Sequence, residues 1–237
     1  MIVAGWIISI VGAESTGKST LALALCEALN AGSPSRPRCA HVDEALRNFC
    51  LRNGRTPTRD EQTEIAAEQS RRIATAAQCH EVVIADTSAL MTAVYSDYVF
   101  GDTSLYEAAL ATQAGYTLTL LTALDLPWQP DGLQRDGAHV RQPVDTLIRR
   151  ALQHAGLGWS VVAGQGAARL ANATSAVDRV LTARSDRPRS ADAGNGADDN
   201  DNCNDDGQSG WRHVCTRCGD GSCERRLLAL NRRPRGA

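Results

Sequence analysis

The chain has 237 residues, a formal net charge of −2 at pH 7 and 43% hydrophobic residues. This length suffices for one substantial hydrophobic core and an additional segment, and the charge gives no bias toward nucleic acid or an anionic membrane. The longest apolar stretches have the length of strands, and the first residues lack the basic segment and cleavage signal of a secretory leader. We therefore expect a cytoplasmic protein whose eight cysteines are reduced.

Two different compositions follow each other along the chain. Residues 1–184 alternate strand-like and helix-like segments, which predicts an α/β domain, a parallel sheet with helices on both faces. The predicted strands are 6–11, 39–43, 82–86, 117–122 and 159–163. The run from Thr58 to Glu61 has the form of a capping box and predicts a helix that extends to about Gln78. Gln69 lies on the apolar stripe of that helix, either as a hydrogen-bonded core amide or as a substrate contact.

The second composition begins at residue 185. Residues 185–206 are rich in aspartate, glycine and asparagine and contain no aromatic or branched aliphatic side chain, so they cannot build a core. We expect a disordered acidic linker here and a basic, cysteine-containing tail over residues 207–237. The spacing of the tail cysteines has the character of zinc ligands, with Cys203 or His213 completing a set of four. The zinc set would be Cys203, Cys215, Cys218 and Cys223; the alternative is a tail whose cysteines bind nothing.

The run from Gly12 to Ser19 fits the Walker A pattern of a phosphate-binding loop. An apolar, strand-like run precedes it and a helix-prone run follows it, which is the context that the motif requires; the alternative is a chance match. Lys18 is the only lysine in the chain, and its compact ammonium can reach between phosphate oxygens where a planar guanidinium is too bulky. We expect backbone N–H groups to hold a nucleoside triphosphate and the Ser19 hydroxyl to reach Mg²⁺. The expected nucleotide-binding residues are Gly12, Glu14, Ser15, Thr16, Gly17, Lys18, Ser19 and Thr20.

Two predicted strands end next to carboxylates. Asp86 ends an apolar strand in the form of a Walker B motif, so we expect it to help Ser19 hold Mg²⁺; the alternative is an ordinary strand-ending aspartate. Glu44 follows the second strand, and the carboxyl ends of parallel strands face the ligand cleft. It would orient an acceptor hydroxyl, or would simply be a solvated acid at a helix start. Arg47 follows at a spacing that brings it to the same side of a helical turn.

A loop with two prolines and a glycine follows the fourth strand, from Asp125 to Asp136, with Arg141 shortly beyond it. Trp128 in this loop would either stack on a planar ring or anchor the loop in the core. Arg135 or Arg141 would neutralise the charge that develops on a transferring phosphoryl group.

Taken in order, these motifs resemble the NadR-like ATPase family, which includes the ribosylnicotinamide kinase domain of bifunctional NAD-biosynthesis proteins. The motifs are Gly12 to Thr20, Glu44 to Phe49, Ile65 to Gln69, Asp86-Thr87, and Pro127-Trp128 with Asp131-Gly132 and Arg135. The resemblance implies a P-loop kinase fold, ATP with Mg²⁺, and phosphorylation of a nucleoside such as nicotinamide riboside at its 5′-hydroxyl. The chain departs from the family pattern at Ala45, where an aromatic residue is usual, and at Ser88, where a second acid often stands.

We therefore expect a P-loop kinase that uses ATP and Mg²⁺ on a small nucleoside-type substrate. The expected catalytic residues are Lys18, Glu44, Asp86, Arg135 and Arg141, and the expected substrate contacts are Glu44, Arg47, Gln69, Trp128 and Asp131. Neither a membrane nor a nucleic acid is expected as a partner. One rival hypothesis is a nucleotide-dependent switch in which ATP binding orders a lid and the tail for a partner. Another makes the cysteine tail the functional module.

Overall fold

The computed structural model describes residues 5–31, 39–130 and 137–185. The expected linker beyond Ser185, the tail with its four candidate zinc ligands, Asp131 and Arg135 lie outside these residues.

Five parallel strands form one sheet in the order β2-β3-β1-β4-β5. They are β1 Trp6–Val11, β2 Cys39–Val42, β3 Val82–Asp86, β4 Leu118–Thr122 and β5 Ser160–Val162. All five predicted strands are confirmed, each end within one residue of its expected position. The central strand β1 pairs with β3 on one side and β4 on the other, and every residue of β3 is buried. A continuous apolar run is typical of a parallel strand that is covered on both faces.

One or two α-helices of the described part follow each strand. They are α1 Lys18–Asn30, α2 Ala45–Asn53, α3 Gln62–Cys79, α4 Ala89–Phe100, α5 Tyr106–Ala114, α6 Arg141–His154 and α7 Gly166–Ser185. Among them, none combines the length and apolarity needed to cross a membrane.

The start of α3 differs from the sequence prediction. The capping-box contact exists, since the Glu61 carboxylate accepts the Thr58 N–H at 2.7 Å and the Thr58 hydroxyl at 2.9 Å. The same carboxylate also binds Arg55 at 2.7 Å, and residues 59–61 form a turn. The regular helix therefore begins at Gln62, one residue after the expected capping box, and ends at Cys79 as expected within one residue.

Two layers of helices cover the sheet. Helices α1 and α7 cover one face, where Leu25 and Val177 pack with Ile84 in a fully buried cluster. Helices α3, α4 and α6 cover the other face, where Leu121 packs with Ile148. Each fully buried leucine or isoleucine stabilises the fold by about 1.5–3 kcal/mol. This two-sided packing confirms the predicted fold class.

A polar network interrupts the second apolar layer. The Gln113 amide, at the end of α5, donates to Ser9 Oγ at 2.6 Å and to Thr119 Oγ1 at 2.8 Å, and accepts the Ser88 hydroxyl at 2.7 Å. All four side chains are buried. A buried polar group without a partner costs free energy, so this set stabilises the fold only when it is complete. It also attaches Ser88, two residues after Asp86, to the middle of the sheet.

Replacing Gln113 with leucine should lower the free energy of unfolding by about 2–4 kcal/mol, because it removes three hydrogen bonds and leaves buried hydroxyl groups without them. Urea denaturation would measure the change. The matched control is Gln78→Leu at an exposed position of α3, which should stay within about 0.5 kcal/mol of the unmodified protein. Equal stability of Gln113→Leu and the control would contradict the structural role of this network.

Candidate active site

The loop between β1 and α1 has a backbone that few residues adopt. Gly12, Ser15 and Gly17 have φ values of 154°, 55° and 74°. A Cβ atom on Gly12 would collide with the Thr122 hydroxyl, so only glycine fits there. The Thr16 hydroxyl donates to the Ala13 carbonyl at 2.7 Å and lies 2.7 Å from Thr122 Oγ1. The loop is therefore held in shape from inside and from β4.

Lys18 is the first residue of α1 and folds back over this loop. Its ammonium donates to the Ala13 carbonyl at 3.0 Å. Gly17 precedes the helix and has no side chain that could cap it. The first N–H groups of α1 therefore point out of the helix end and donate to no capping side chain. Backbone N–H groups, a helix N-terminus and an ammonium together make an anion site of the kind that binds phosphates. Ser19 is partly exposed at the same end of the helix, and Thr20 is exposed beside it.

Asp86 ends β3 next to the loop. Its side chain is buried, yet its Oδ1 accepts no hydrogen bond within the described residues, and the same holds for the hydroxyl of Thr87. Thr87 has a φ of 77°, and its N–H donates to the Ile10 carbonyl of β1 at 3.1 Å. A β-branched residue in this conformation is strained, and such strain is concentrated at functional sites.

The donor set fits Mg²⁺. The Asp86 carboxylate, one oxygen of which has no partner among the described residues, and the hydroxyl of Ser19 are hard oxygen ligands of the kind that this ion takes together with phosphate oxygens and water. Within the described residues there is no group of three or more His, Cys, Asp or Glu side chains that could hold a metal.

Glu44 lies between β2 and α2 with 16% of its side chain exposed. Burial raises the pKa of its carboxyl above the ordinary value; the charge of Lys18 lowers it, that of Asp86 raises it and that of Arg47 lowers it again. β2, β3 and β1 are parallel neighbours, so Glu44, Asp86 and the loop that carries Lys18 follow carboxyl ends of adjacent strands at one edge of the sheet. Arg47 Nε lies 3.5 Å from Glu44 Oε2, as the helical spacing predicts.

Gln69 connects the segments that follow β2 and β3. Its side chain is 1% exposed, its Oε1 accepts the Ala45 N–H at 2.7 Å and its Nε2 donates to the Thr87 carbonyl at 3.5 Å. Both ends of the amide are occupied by backbone, which supports the core-amide interpretation. The position of Gln69 connects the residue after Glu44 with the residue after Asp86.

Trp128 is half-buried and contacts the phosphate loop; it is not a core residue. Its indole N–H donates to Glu14 Oε1 at 2.7 Å, and the Gly137 N–H donates to the same oxygen at 3.0 Å. The Gln129 N–H donates to Ser15 Oγ at 2.8 Å. Glu14 itself is buried, although it stands at a variable position of the motif. The side chains of the phosphate loop thus hold the loop that follows β4.

Arg141 begins α6 and is only 9% exposed. Its Nε and Nη2 make no hydrogen bond within the described residues. The expected role of Arg141 in neutralising a phosphoryl group stays a prediction.

One buried cation was missed by the sequence analysis. Arg169 of α7 donates to the Thr16 carbonyl at 2.7 Å, to Asp125 Oδ1 at 2.9 Å and to the Gly164 carbonyl at 2.9 Å. No motif includes this residue. The one available signal was a single arginine in a run of glycines and alanines, where a charged side chain has few local partners.

Comparisons with known proteins agree with this geometry. The chain has the same fold as a NadR structure in complex with NR, with a TM-score of 0.62, 20% identity and coverage of 75% of this chain and 52% of that one. A NadR structure with NAD and AMP-PNP matches with a TM-score of 0.58 and 20% identity over 75% of this chain and 50% of that one. Thymidylate kinase from Ehrlichia chaffeensis matches with a TM-score of 0.52 and 16% identity over 76% of this chain and all of that one (100%).

These likenesses confirm the expected P-loop kinase fold and the resemblance to NadR, of which the chain spans about half the length. No curated protein matches the sequence. A family model described as an AAA domain matches residues 7–169, from β1 to the first residues of α7. Since this match includes the phosphate loop and Asp86 and extends over well more than half of the chain, the protein belongs to the AAA-domain family.

Proposed function

We propose that this protein is an ATP-dependent kinase that transfers the γ-phosphate to a small nucleoside-type acceptor, with nicotinamide riboside as the leading candidate. The observation that carries the proposal is the grouping of Lys18, Asp86 and Glu44 at the carboxyl ends of the neighbouring strands β1, β3 and β2. Phosphoryl transfer to a hydroxyl uses a cation that binds the phosphates, a carboxylate that helps to hold Mg²⁺ and a carboxylate that accepts the hydroxyl proton. Lys18, Asp86 and Glu44 would supply these three groups. The fold likeness to NadR in complex with NR supports this acceptor.

The nucleotide side of the reaction follows from the loop. The phosphates would bind to the N–H groups of residues 12–19, and the Lys18 ammonium would exchange the Ala13 carbonyl for a phosphate oxygen. Mg²⁺ bound with the nucleotide would neutralise phosphate charge, with Ser19 and Asp86 as the residues that hold it. Arg141 is the described candidate for the second cation, and Arg135 remains its alternative.

Glu44 is proposed as the residue on the acceptor side. The acceptor hydroxyl oxygen attacks the γ-phosphorus, the bond from that phosphorus to the β–γ bridging oxygen breaks, and ADP leaves. Glu44 accepts the hydroxyl proton and later releases it to water. Its raised pKa makes it a stronger base than an ordinary glutamate, so it is better suited to this transfer. Positioning and charge stabilisation supply most of the acceleration in such a reaction.

A second function, a nucleotide-dependent switch, is favoured by one observation. Glu14 and Ser15 of the phosphate loop are bonded directly to Trp128, Gln129 and Gly137. A change in the loop on ATP binding would therefore move the segment after β4, which a partner could recognise.

Incubation of the purified protein with Mg-ATP and a panel of nucleosides should yield a nucleoside monophosphate and an equal amount of ADP, with nicotinamide riboside the best acceptor. Chromatography with mass detection would measure both products. ADP formation that is independent of every acceptor would contradict the kinase proposal and would favour the nucleotide-dependent switch.

The Lys18→Arg variant should lose turnover by about 100-fold or more, although its charge is kept, because a planar guanidinium does not fit between the phosphate oxygens. Initial rates at saturating ATP would measure this loss. The reverse exchange Arg179→Lys, at an exposed position of α7, is the control and should leave the rate unchanged. An active Lys18→Arg enzyme would overturn the role assigned to the ammonium.

Glu44 should also determine the acid limb of the pH profile. Only the ionised carboxylate accepts a proton, so kcat/KM should fall as the pH drops through an apparent pKa above the ordinary glutamate value of 4.5. The linkage has the opposite sign for stability: a raised folded-state pKa favours the protonated form, and this stabilisation is lost as the pH rises through that pKa.

The Glu44→Gln variant should therefore lose about 100-fold or more in kcat/KM and yet be no less stable at neutral pH. Rates measured from acid to neutral pH and urea denaturation at neutral pH would test both parts. Near-normal activity of Glu44→Gln would remove Glu44 from the mechanism.

A further inference from the structure

The guanidinium of Arg169 is buried and contacts the phosphate loop. Its side chain is 6% exposed, and its Nη2 donates to the carbonyl oxygen of Thr16 at 2.7 Å. Thr16 lies inside the phosphate loop, and the peptide bond that follows it leads to Gly17. Because a trans peptide is planar, its C=O and N–H point in opposite directions. A carbonyl held by Arg169 therefore turns the Gly17 N–H away from Arg169.

The second terminal nitrogen of the guanidinium, Nη1, donates to other segments. Nη1 donates to Asp125 Oδ1 and to the Gly164 carbonyl, each at 2.9 Å, and Asp125 Oδ2 accepts the Gly164 N–H at 2.5 Å. Burial alone would raise the pKa of Asp125, but the Gly164 N–H and the Arg169 charge outweigh it and hold that pKa below its usual value. Asp125 is thus the charged partner that a buried arginine requires.

Three segments meet at this one side chain: the phosphate loop, the segment after β4 and the segment after β5. Two nitrogens of the guanidinium donate to these three acceptors, which suits the fixed fork of an arginine better than the single ammonium of a lysine. Its bond to the phosphate loop uses a backbone carbonyl, so it does not compete with the N–H groups that bind phosphate.

We propose that Arg169 is a positioning residue for the nucleotide: it fixes the Thr16–Gly17 peptide so that the Gly17 N–H faces the phosphates. It also makes the shape of the phosphate loop depend on the segments after β4 and β5. The proposal rests on the nucleotide-binding half of the proposed function and does not involve the acceptor.

Titration calorimetry with Mg-AMP-PNP tests this without an acceptor. The Arg169→Lys variant, which keeps the charge and loses the fork, should bind about 10- to 100-fold more weakly. Asp125→Asn should weaken binding less, about 3- to 10-fold, because the bond to Thr16 is retained. The matched control is Arg149→Lys in α6, whose arginine is mostly buried and binds Asp145 of the same helix at 2.7 Å. It should bind the nucleotide as the unmodified protein does.

A second readout separates positioning from a general loss of stability. In protein labelled with ¹⁵N-glycine, the Gly17 amide resonance should shift strongly when Mg-AMP-PNP binds to the unmodified protein, and much less in Arg169→Lys at saturating nucleotide. A purely structural role would lower the unfolding temperature and leave that shift intact. If Arg169→Lys does not fold, the binding of Mg-AMP-PNP and the Gly17 amide shift are both measured on Asp125→Asn instead.

Binding of Mg-AMP-PNP by Arg169→Lys within twofold of the unmodified protein, or a full Gly17 shift, would overturn the inference. A loss of the same size in Arg149→Lys would also overturn it. Failure of the unmodified protein to bind the nucleotide would overturn the proposed function together with the inference. Normal binding without phosphorylation of any acceptor would overturn only the kinase.

Discussion

The orientation of a few peptide groups in the loop after β1 decides how the candidate active site is built. Phosphate binding needs N–H groups that converge, and converging dipoles repel one another unless their carbonyl partners are held outside. Here the carbonyl of Ala13 is held by the Thr16 hydroxyl and by Lys18, and that of Thr16 by Arg169. The loop is prepared for an anion by contacts with its own carbonyl groups.

The sheet order explains why the chemistry gathers around that loop. β1 is the central strand, so the ends of β3 and β4 flank the loop and bring Asp86 and Thr122 beside it. Gln69 then connects the start of α2 to the end of β3, which brings Glu44 to the same edge. Ligand sites at the carboxyl ends of parallel strands follow from this topology, because successive crossovers leave a crevice there.

Much of the fold and part of the site could be predicted from the sequence. Apolar runs of strand length, separated by helix-like segments, predicted the strands, and the Walker A pattern predicted the loop. Both signals are local. The bonds from Trp128 to Glu14 and from Arg169 to Thr16 span 114 and 153 residues, and no local pattern encodes them. Gln113 was missed as well: Ser9 lies 104 residues away, and Thr119, only six residues away, is an ordinary strand residue until the sheet forms.

The long span of the Arg169 contact has a consequence for biosynthesis. Translation delivers the phosphate loop first, and the helix that carries Arg169 is added after all five strands. A nascent chain that lacks this helix contains the whole Walker A motif but lacks the contact from Arg169 to the Thr16 carbonyl. Contacts of such large sequence separation form late in folding. With Arg169 in the positioning role proposed above, the emerging polypeptide would bind nucleotide more weakly until α7 has left the ribosome and packed against the sheet.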